Sequence, residues 1–184
     1  MGTPDSAMVV SIIINNYNYG RYLREAIDSA LGQTYDAVEV IVVDDGSTDD
    51  SQAVIQAYGE SIRPLFQRNM GQAAAFNLGF ACSTGDAIIF LDADDVLLPE
   101  MAAKVVEALG QQPHAAKVMV RMAVINDEGR PTGEEKPAGH LPLMDGDLRR
   151  HIVAFPSDIP WMPTSANAFM AAVLRQVMPV PPEY

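Results

Sequence analysis

At 184 residues the chain is long enough for one domain with a substantial core and short for two. Its 48% hydrophobic and 20% charged residues are globular proportions, and 24 acidic against 12 basic residues give a formal charge of −12. That charge argues against a nucleic-acid binder, which needs a basic surface to neutralise phosphates. The single cysteine, Cys82, excludes an internal disulfide and reads as a small buried hydrophobe. The three histidines are scattered, and no apolar run approaches the roughly 20 residues of a transmembrane segment. Residues 1–6 do not resemble a signal peptide, and the match of Gly2 and Ser6 to the loose myristoylation pattern is the kind that recurs by chance. A cytoplasmic protein is expected, with any membrane attachment peripheral and supplied from outside this chain.

The first 112 residues alternate between two hydrophobic periods. Val9–Ile14 is a short β-branched run, the pattern of a strand buried on both faces. Leu23, Ala26, Ile27, Ala30 and Leu31 then fall on one helical face. Val38–Val43 reads as a second strand, and Ser47 with Asp50 as a weak capping box for a helix carrying Val54, Ile55 and Tyr58. Ile62–Phe66 predicts a third strand. Gly71 opens a helix to Cys82, with Ala73, Phe76, Asn77 and Phe80 on one side. Ala87–Leu91 is a fourth strand, and Pro99 is placed as the first residue of a helix to about Leu109. Lys117–Asn126 predicts a fifth strand, followed by a turn at 127–130. Strands alternating with helices predict a mostly parallel sheet with helices on both faces.

Composition changes after residue 112, beyond which ten of the thirteen prolines lie. Pro131, Pro137, Pro142, Pro156, Pro160 and Pro163 punctuate one long irregular stretch, with a helix expected over Asp145–Ala154 and order resuming over Thr164–Val177.

Three predicted strands end in polar clusters: Asn15-Asn16-Tyr17-Asn18, Asp44-Asp45-Gly46 and Asp92-Ala93-Asp94-Asp95. In open parallel sheets the crevice beyond the strand C-termini is where ligands bind. A buried strand has no structural need to end in paired carboxylates, whose repulsion costs folding energy unless a cation or donor lies between them. If the strand runs on through them, Asp92 and Asp94 share one side of the chain and suit a hard ion such as Mg²⁺ or Mn²⁺. Plainer roles stand beside these. Asp44, Asp45 and Asp50 fit turns and caps, Tyr17 fits packing, and Gly71 and Gly79 fit a helix start and a close contact. Neither a dinucleotide fingerprint nor a P-loop motif occurs.

Taken in order, five motifs resemble the family 2 glycosyltransferases. They are Val10–Asn18, Ser29–Tyr35, Val40–Asp49, Arg68–Gly71 with Asn77-Leu78-Gly79, and Gly85-Asp86 followed by Phe90–Asp95. The resemblance covers about residues 8–110. It implies a GT-A fold, an α/β architecture with a Rossmann-like, mostly parallel central sheet. It implies transfer of a sugar from a nucleoside-diphosphate sugar, most commonly a UDP-sugar, to an acceptor hydroxyl, with inversion and with Mn²⁺ or Mg²⁺. By residue, it places Asn15 and Tyr17 at the base, Asp45 at the base edge, Arg68 and Gly71 in the loop flanking the nucleotide, Asp92 at the ribose and Asp94 on the metal. The acceptor, whether carbohydrate, lipid or protein, is not identified.

Relatives often carry Pro-Thr or a Thr at Asn15-Asn16 and Arg at Phe76. The family's general base follows the D-x-D at about the point where this sequence stops, so it is expected beyond Tyr184. Asp145, Asp147, Asp158 and Glu183 have no motif behind them. The chain therefore reads as one GT-A domain truncated at its C-terminus, with a nucleotide-binding half over 8–112 and a partial acceptor half over 113–184. Trp161 is a candidate for the sugar or acceptor pocket. Two other readings compete: a nucleotide-sugar-binding module without catalysis, and a receiver-like phosphoacceptor domain. The last needs a Lys at the end of a late strand, whereas Lys117 begins one.

Overall fold

A computed structural model of the chain describes residues 7–141, 143–148 and 162–181. Seven expected elements form close to their predicted bounds: β1 (Val10–Asn16), α1 (Gly20–Leu31), β2 (Val38–Asp44), α2 (Ser51–Gln56), β3 (Arg63–Phe66), α3 (Gln72–Cys82) and β4 (Ala87–Asp92). They are followed by α4 (Met101–Gln111), β5 (Lys117–Met119), β6 (Met122–Ile125), β7 (Pro131–Lys136), β8 (Asn167–Met170) and α5 (Ala171–Val177). The main sheet runs β3-β2-β1-β4-β8-β5, and β6 with β7 forms a separate hairpin. Strands β1 to β4 are parallel, and β8 is antiparallel to both its neighbours.

Strand alternation divides the core. Val10, Ile12 and Ile14 of β1 face one layer, packing with Leu23 and Ile27 of α1, Ile55 of α2 and Val105 of α4. Ile13 faces the other, with Ile41, Val43, Ile88 and Phe90, against Ala75 of α3 and Leu174 of α5. Apart from Val38 at the start of β2, the β-branched side chains of β1 and β2 are fully or almost fully buried, as strands covered on both faces require. Helix α3 approaches the sheet closely because Gly79 has no side chain. A Cβ there would lie 2.4 Å from Ile13 Cγ2 and 3.2 Å from Val43 Cγ2.

Several local expectations are corrected. The run 117–126 is two strands in two sheets, because the chain leaves the main sheet after Met119 and turns into the hairpin. Residues Pro131–Lys136, expected to be irregular, form its second strand. Ser47 and Asp50 make no capping box: α2 has no side-chain cap, and the Ser47 hydroxyl is used by Asn16 and Asn18 instead. Pro99 precedes α4, which begins at Met101 with Glu100 as its N-cap. Leu31 is 41% exposed, at the end of α1 where the buried stripe has turned away. On α3 the buried residues are Ala73, Ala75 and Gly79, so the tight side runs through Ala75 and Gly79 rather than Asn77, whose amide instead binds Val180. Cys82 is only half-buried. Residues 145–148 of the helix expected over Asp145–Ala154 are irregular, and 149–154 lie outside the described residues, as do Asp158, Trp161 and Glu183. No helix among the described residues is long and apolar enough to cross a membrane.

Candidate active site

Parallel register aligns the ends of β1, β2 and β4: Asn16 lies beside Asp44, and Asn15 beside Asp92. These ends and the start of α3 enclose a cleft of about 460 Å³. Asn15, Tyr17, Asp45, Gly71, Asp92 and Asp94 all line it, which brings together six of the seven residues singled out in the sequence. Arg68 does not line the cleft; it is exposed in the loop after β3, whose contribution to the wall comes from Asn69.

The loop after β1 is clamped to the loop after β2. Asn16 Nδ2 donates to Asp44 Oδ1 (2.8 Å) and Ser47 Oγ (3.1 Å), and the Asn18 amide donates to Ser47 Oγ (2.9 Å). Asn18 Oδ1 accepts the Thr48 amide at 2.7 Å, while its backbone sits at φ 59°, a region Asn tolerates better than most residues. Tyr17, held between these anchors, keeps 45% of its surface exposed at the cleft. Asp44 thus has the turn role: it is buried and also accepts the Ser47 amide.

Asp45 is 4% exposed and does two things. Its Oδ1 accepts Gln67 Nε2 (2.6 Å) and the Met70 amide (2.8 Å), and Oδ2 accepts the Gly71 amide (2.8 Å). A carboxylate has about four lone-pair positions, so roughly one is left for a donor in the cleft. By fixing Gly71 it also fixes the start of α3. Gly71 adopts φ 86°, a conformation suited to glycine, and turns the helix N-terminus to the cleft wall, where partial positive charge favours an anion.

The acidic cluster departs from its predicted geometry. The strand ends at Asp92, and the Asp95 amide donates to the Asp92 carbonyl (3.0 Å), so 92–95 is a tight turn. Strand alternation therefore does not put Asp92 and Asp94 on one side; the turn brings both to the cleft. Asp92 accepts Gln72 Nε2 at 3.0 Å and is hydrogen-bonded by Asn15. Burial pushes its carboxyl above the usual Asp range; the Asn15 bond opposes this, and Asp95 and Asp94 reinforce it. Asp95 is pushed the same way by burial and by Asp94, against a Ser165 hydrogen bond and Lys136.

Such a turn suits a hard divalent cation, which would relieve the crowding of three acids. Among the described residues no group of three or more His, Cys, Asp or Glu could hold a metal. An ion at Asp94 would complete its sphere with water and ligand oxygens, as Mg²⁺ and Mn²⁺ commonly do. Asn15 Oδ1 is buried with no hydrogen-bond partner, an acceptor awaiting a donor in the cleft wall. Receiver-like chemistry finds no support: pairing through β8 puts Lys117 level with Ile88, at the opposite end of the sheet from Asp92.

Sequence reasoning missed Tyr19, Asn69, Gln72 and Ala75 in the cleft wall. It also missed Ser165, whose hydroxyl accepts the Asp92 amide at 3.0 Å. Gln72 was findable one residue after Gly71. Ser165 carried no local signal, because its position depends on where β8 pairs.

Residues 11–171 match the family model described as Glycosyl transferase family 2. An uncharacterized glycosyltransferase of Nostoc sp. is 40% identical over 179 residues, covering 95% of this chain and 55% of that protein. The glycosyltransferase GlyG of Streptococcus pneumoniae is 39% identical over 108 residues, covering 56% of this chain and 35% of its own. The chain therefore spans about half the length of the Nostoc relative and less of the pneumococcal one. Among solved structures, S. aureus TarS 1–349 in complex with UDP superposes with TM-score 0.69 at 22% identity, over 96% of this chain and 51% of that one. The mannosyltransferase PcManGT from Pyrobaculum calidifontis, in complex with GDP-Man and Mn²⁺, gives 0.67 at 20% identity, over 98% and 49%. At these identities the likeness establishes the fold, a GT-A architecture.

Proposed function

Because the chain belongs to glycosyl transferase family 2, we propose that its cleft binds a nucleoside-diphosphate sugar, with UDP as the leading nucleotide, for inverting transfer to an acceptor hydroxyl. The observation that carries this reading is the meeting of three strand ends and the α3 N-terminus around one cleft, with an acidic turn and an orphaned acceptor in its wall. Tyr17 offers its ring to the base, and Asp45 its remaining lone pair to the base edge. An ionised carboxylate only accepts, so it suits the ring N–H of uracil, thymine or guanine, whereas cytosine can offer it only the exocyclic amino group. Asn15 Oδ1 can take a further ligand donor, Asp92 faces the ribose, and the α3 N-terminus faces the diphosphate. Mn²⁺ or Mg²⁺ held at Asp94 would neutralise charge on the departing diphosphate.

Inversion by single displacement needs a carboxylate to take the acceptor proton. In this cleft Asp45 is committed to three internal donors, and Asp92 and Asp94 are assigned to the nucleotide and the cation. We place the base outside this cleft, in a GT-A domain whose nucleotide half is 8–112 and whose partial acceptor half is 113–184. The same observation favours a second reading, in which the isolated chain binds nucleotide sugar without transferring it. We place the protein in the cytoplasm, peripheral to a membrane if attached to one.

Calorimetric titration of UDP, GDP, dTDP and CDP, with and without Mn²⁺, tests the site. The expected result is Mn²⁺-dependent binding of UDP, weaker binding of CDP, and loss of binding in Asp94→Ala. Failure of every nucleotide to bind, or metal-independent binding untouched by Asp94→Ala, overturns the reading.

A further inference from the structure

A second cleft, of about 370 Å³, adjoins the first and shares Tyr19 and Asp94 with it. Its walls come from the first turns of α1, through Arg21, Tyr22 and Glu25, and from the tip of the β6–β7 hairpin, through Asn126 and Asp127. We propose that this cleft is the acceptor subsite and that it takes an uncharged saccharide. The proposal rests on the reading that the first cleft holds the nucleotide sugar. An acceptor seated there would reach the donor at the shared Asp94 end. Its hydroxyl oxygen would bond to the anomeric carbon while the bond from that carbon to the β-phosphate oxygen breaks. The diphosphate leaves with the electron pair, and the hydroxyl proton passes to a carboxylate base.

Three features fit a sugar. The Tyr19 and Tyr22 rings stand 6.2 Å apart at 40°, offering apolar faces with polar rims to the C–H face of a pyranose. The Arg21 guanidinium lies 4.9 Å over the Tyr22 ring, which restrains that ring. The side chains of Glu25 and Asp127 make no hydrogen bond or ion pair among the described residues, so their carboxylate oxygens are free to accept from hydroxyls. Charge sets the class of sugar. Apart from Asp94, which the cation would neutralise, two carboxylates oppose one guanidinium, and an anionic acceptor would be repelled.

The test is saturation-transfer NMR on the full chain with methyl glucoside, methyl N-acetylglucosaminide and methyl glucuronide, each with and without UDP and Mn²⁺. Nucleotide affinity is measured separately by calorimetry, so failure of the first cleft is distinguished from failure of the second. The neutral glycosides are expected to give signal that UDP does not displace, about fivefold or more above methyl glucuronide. Tyr22→Ala should cut that signal about fivefold or more and leave UDP affinity unchanged. Because Tyr22 is half-buried, Glu25→Lys on an exposed position provides a second arm and should raise the methyl glucuronide signal. Absence of signal from both neutral glycosides, displacement by UDP, an equal glucuronide signal in the unaltered chain, or indifference to both substitutions overturns the proposal.

Discussion

Replacing Asp45 by Asn separates the carboxylate's charge from its shape. An amide keeps one acceptor oxygen and turns the other position into a donor. The less costly orientation leaves the oxygen with Gln67 Nε2 and the Met70 amide and points the new NH₂ at the Gly71 amide, where two donors then oppose each other in a site 4% exposed. Loss of one charge-assisted bond costs about 1.5–3 kcal/mol, and weakening of the other two brings the total to about 3 kcal/mol. In a chain of this size 1 kcal/mol moves Tm by roughly 2–4 °C, so melting followed by circular dichroism should fall by about 6–12 °C. Calorimetry on the folded variant at low temperature should show UDP affinity reduced about tenfold or more, because the α3 start is released and the base edge meets an altered partner. A Tm within about 2 °C of the unaltered chain would refute the clamp described for Asp45. Unchanged UDP affinity alongside the expected fall in Tm would leave it a loop clamp only.

Gly79→Ala should destabilise by about 1–3 kcal/mol, read from urea midpoints, since the fully buried, β-branched Ile13 cannot rotate its γ2 methyl away from a Cβ at 2.4 Å; equal or greater stability would show that α3 shifts outward freely. At the other end of the sheet, Glu39 Oε1 accepts the Ser11 hydroxyl (2.5 Å) and the Thr84 and Gly85 amides (2.5 and 3.1 Å). Burial alone would raise its pKa, but these bonds together hold it below the ordinary 4.5. Its contribution is therefore complete above that value and is lost as pH falls through the lowered one. Glu39→Gln should be less stable at pH 7 and approach the unaltered chain on acidification below 4.5; a gap independent of pH would count against this. Asp94→Asn should abolish Mn²⁺-dependent UDP binding yet raise Tm, because Asp94 is a like charge acting on both Asp92 and Asp95; a lowered Tm would contradict that repulsion.

The parallel half of the fold was legible because each of its signals is local. Buried β-branched runs at 10–14 and 38–43 have no stable alternative to a covered strand, and their polar ends announced the cleft. What escaped was non-local. The run 117–126 has continuous strand-forming character, and nothing within it shows that the chain leaves one sheet for another after Met119. Residues 167–170 are too few to declare a direction, so the antiparallel insertion of β8 between β4 and β5 was invisible, and with it the support that Ser165 gives Asp92. At Asp92–Asp94 the expectation reached the right residues through the wrong geometry, since period-2 alternation does not persist past a strand's last hydrogen bond.

The position of β8 also has a consequence for the order of assembly. Synthesis proceeds from the N-terminus, so β1 to β4 leave the ribosome with Ala87 to Ile89 as an open apolar edge. Strand β5 emerges next but joins the sheet only through β8, about 50 residues later in the chain. Until residues 165–170 arrive, the edge is uncovered and the acidic turn lacks its brace, 73 residues distant in sequence. The residues lining the first cleft, all within Asn15–Asp94, are thus synthesised before the segment that braces their acidic turn.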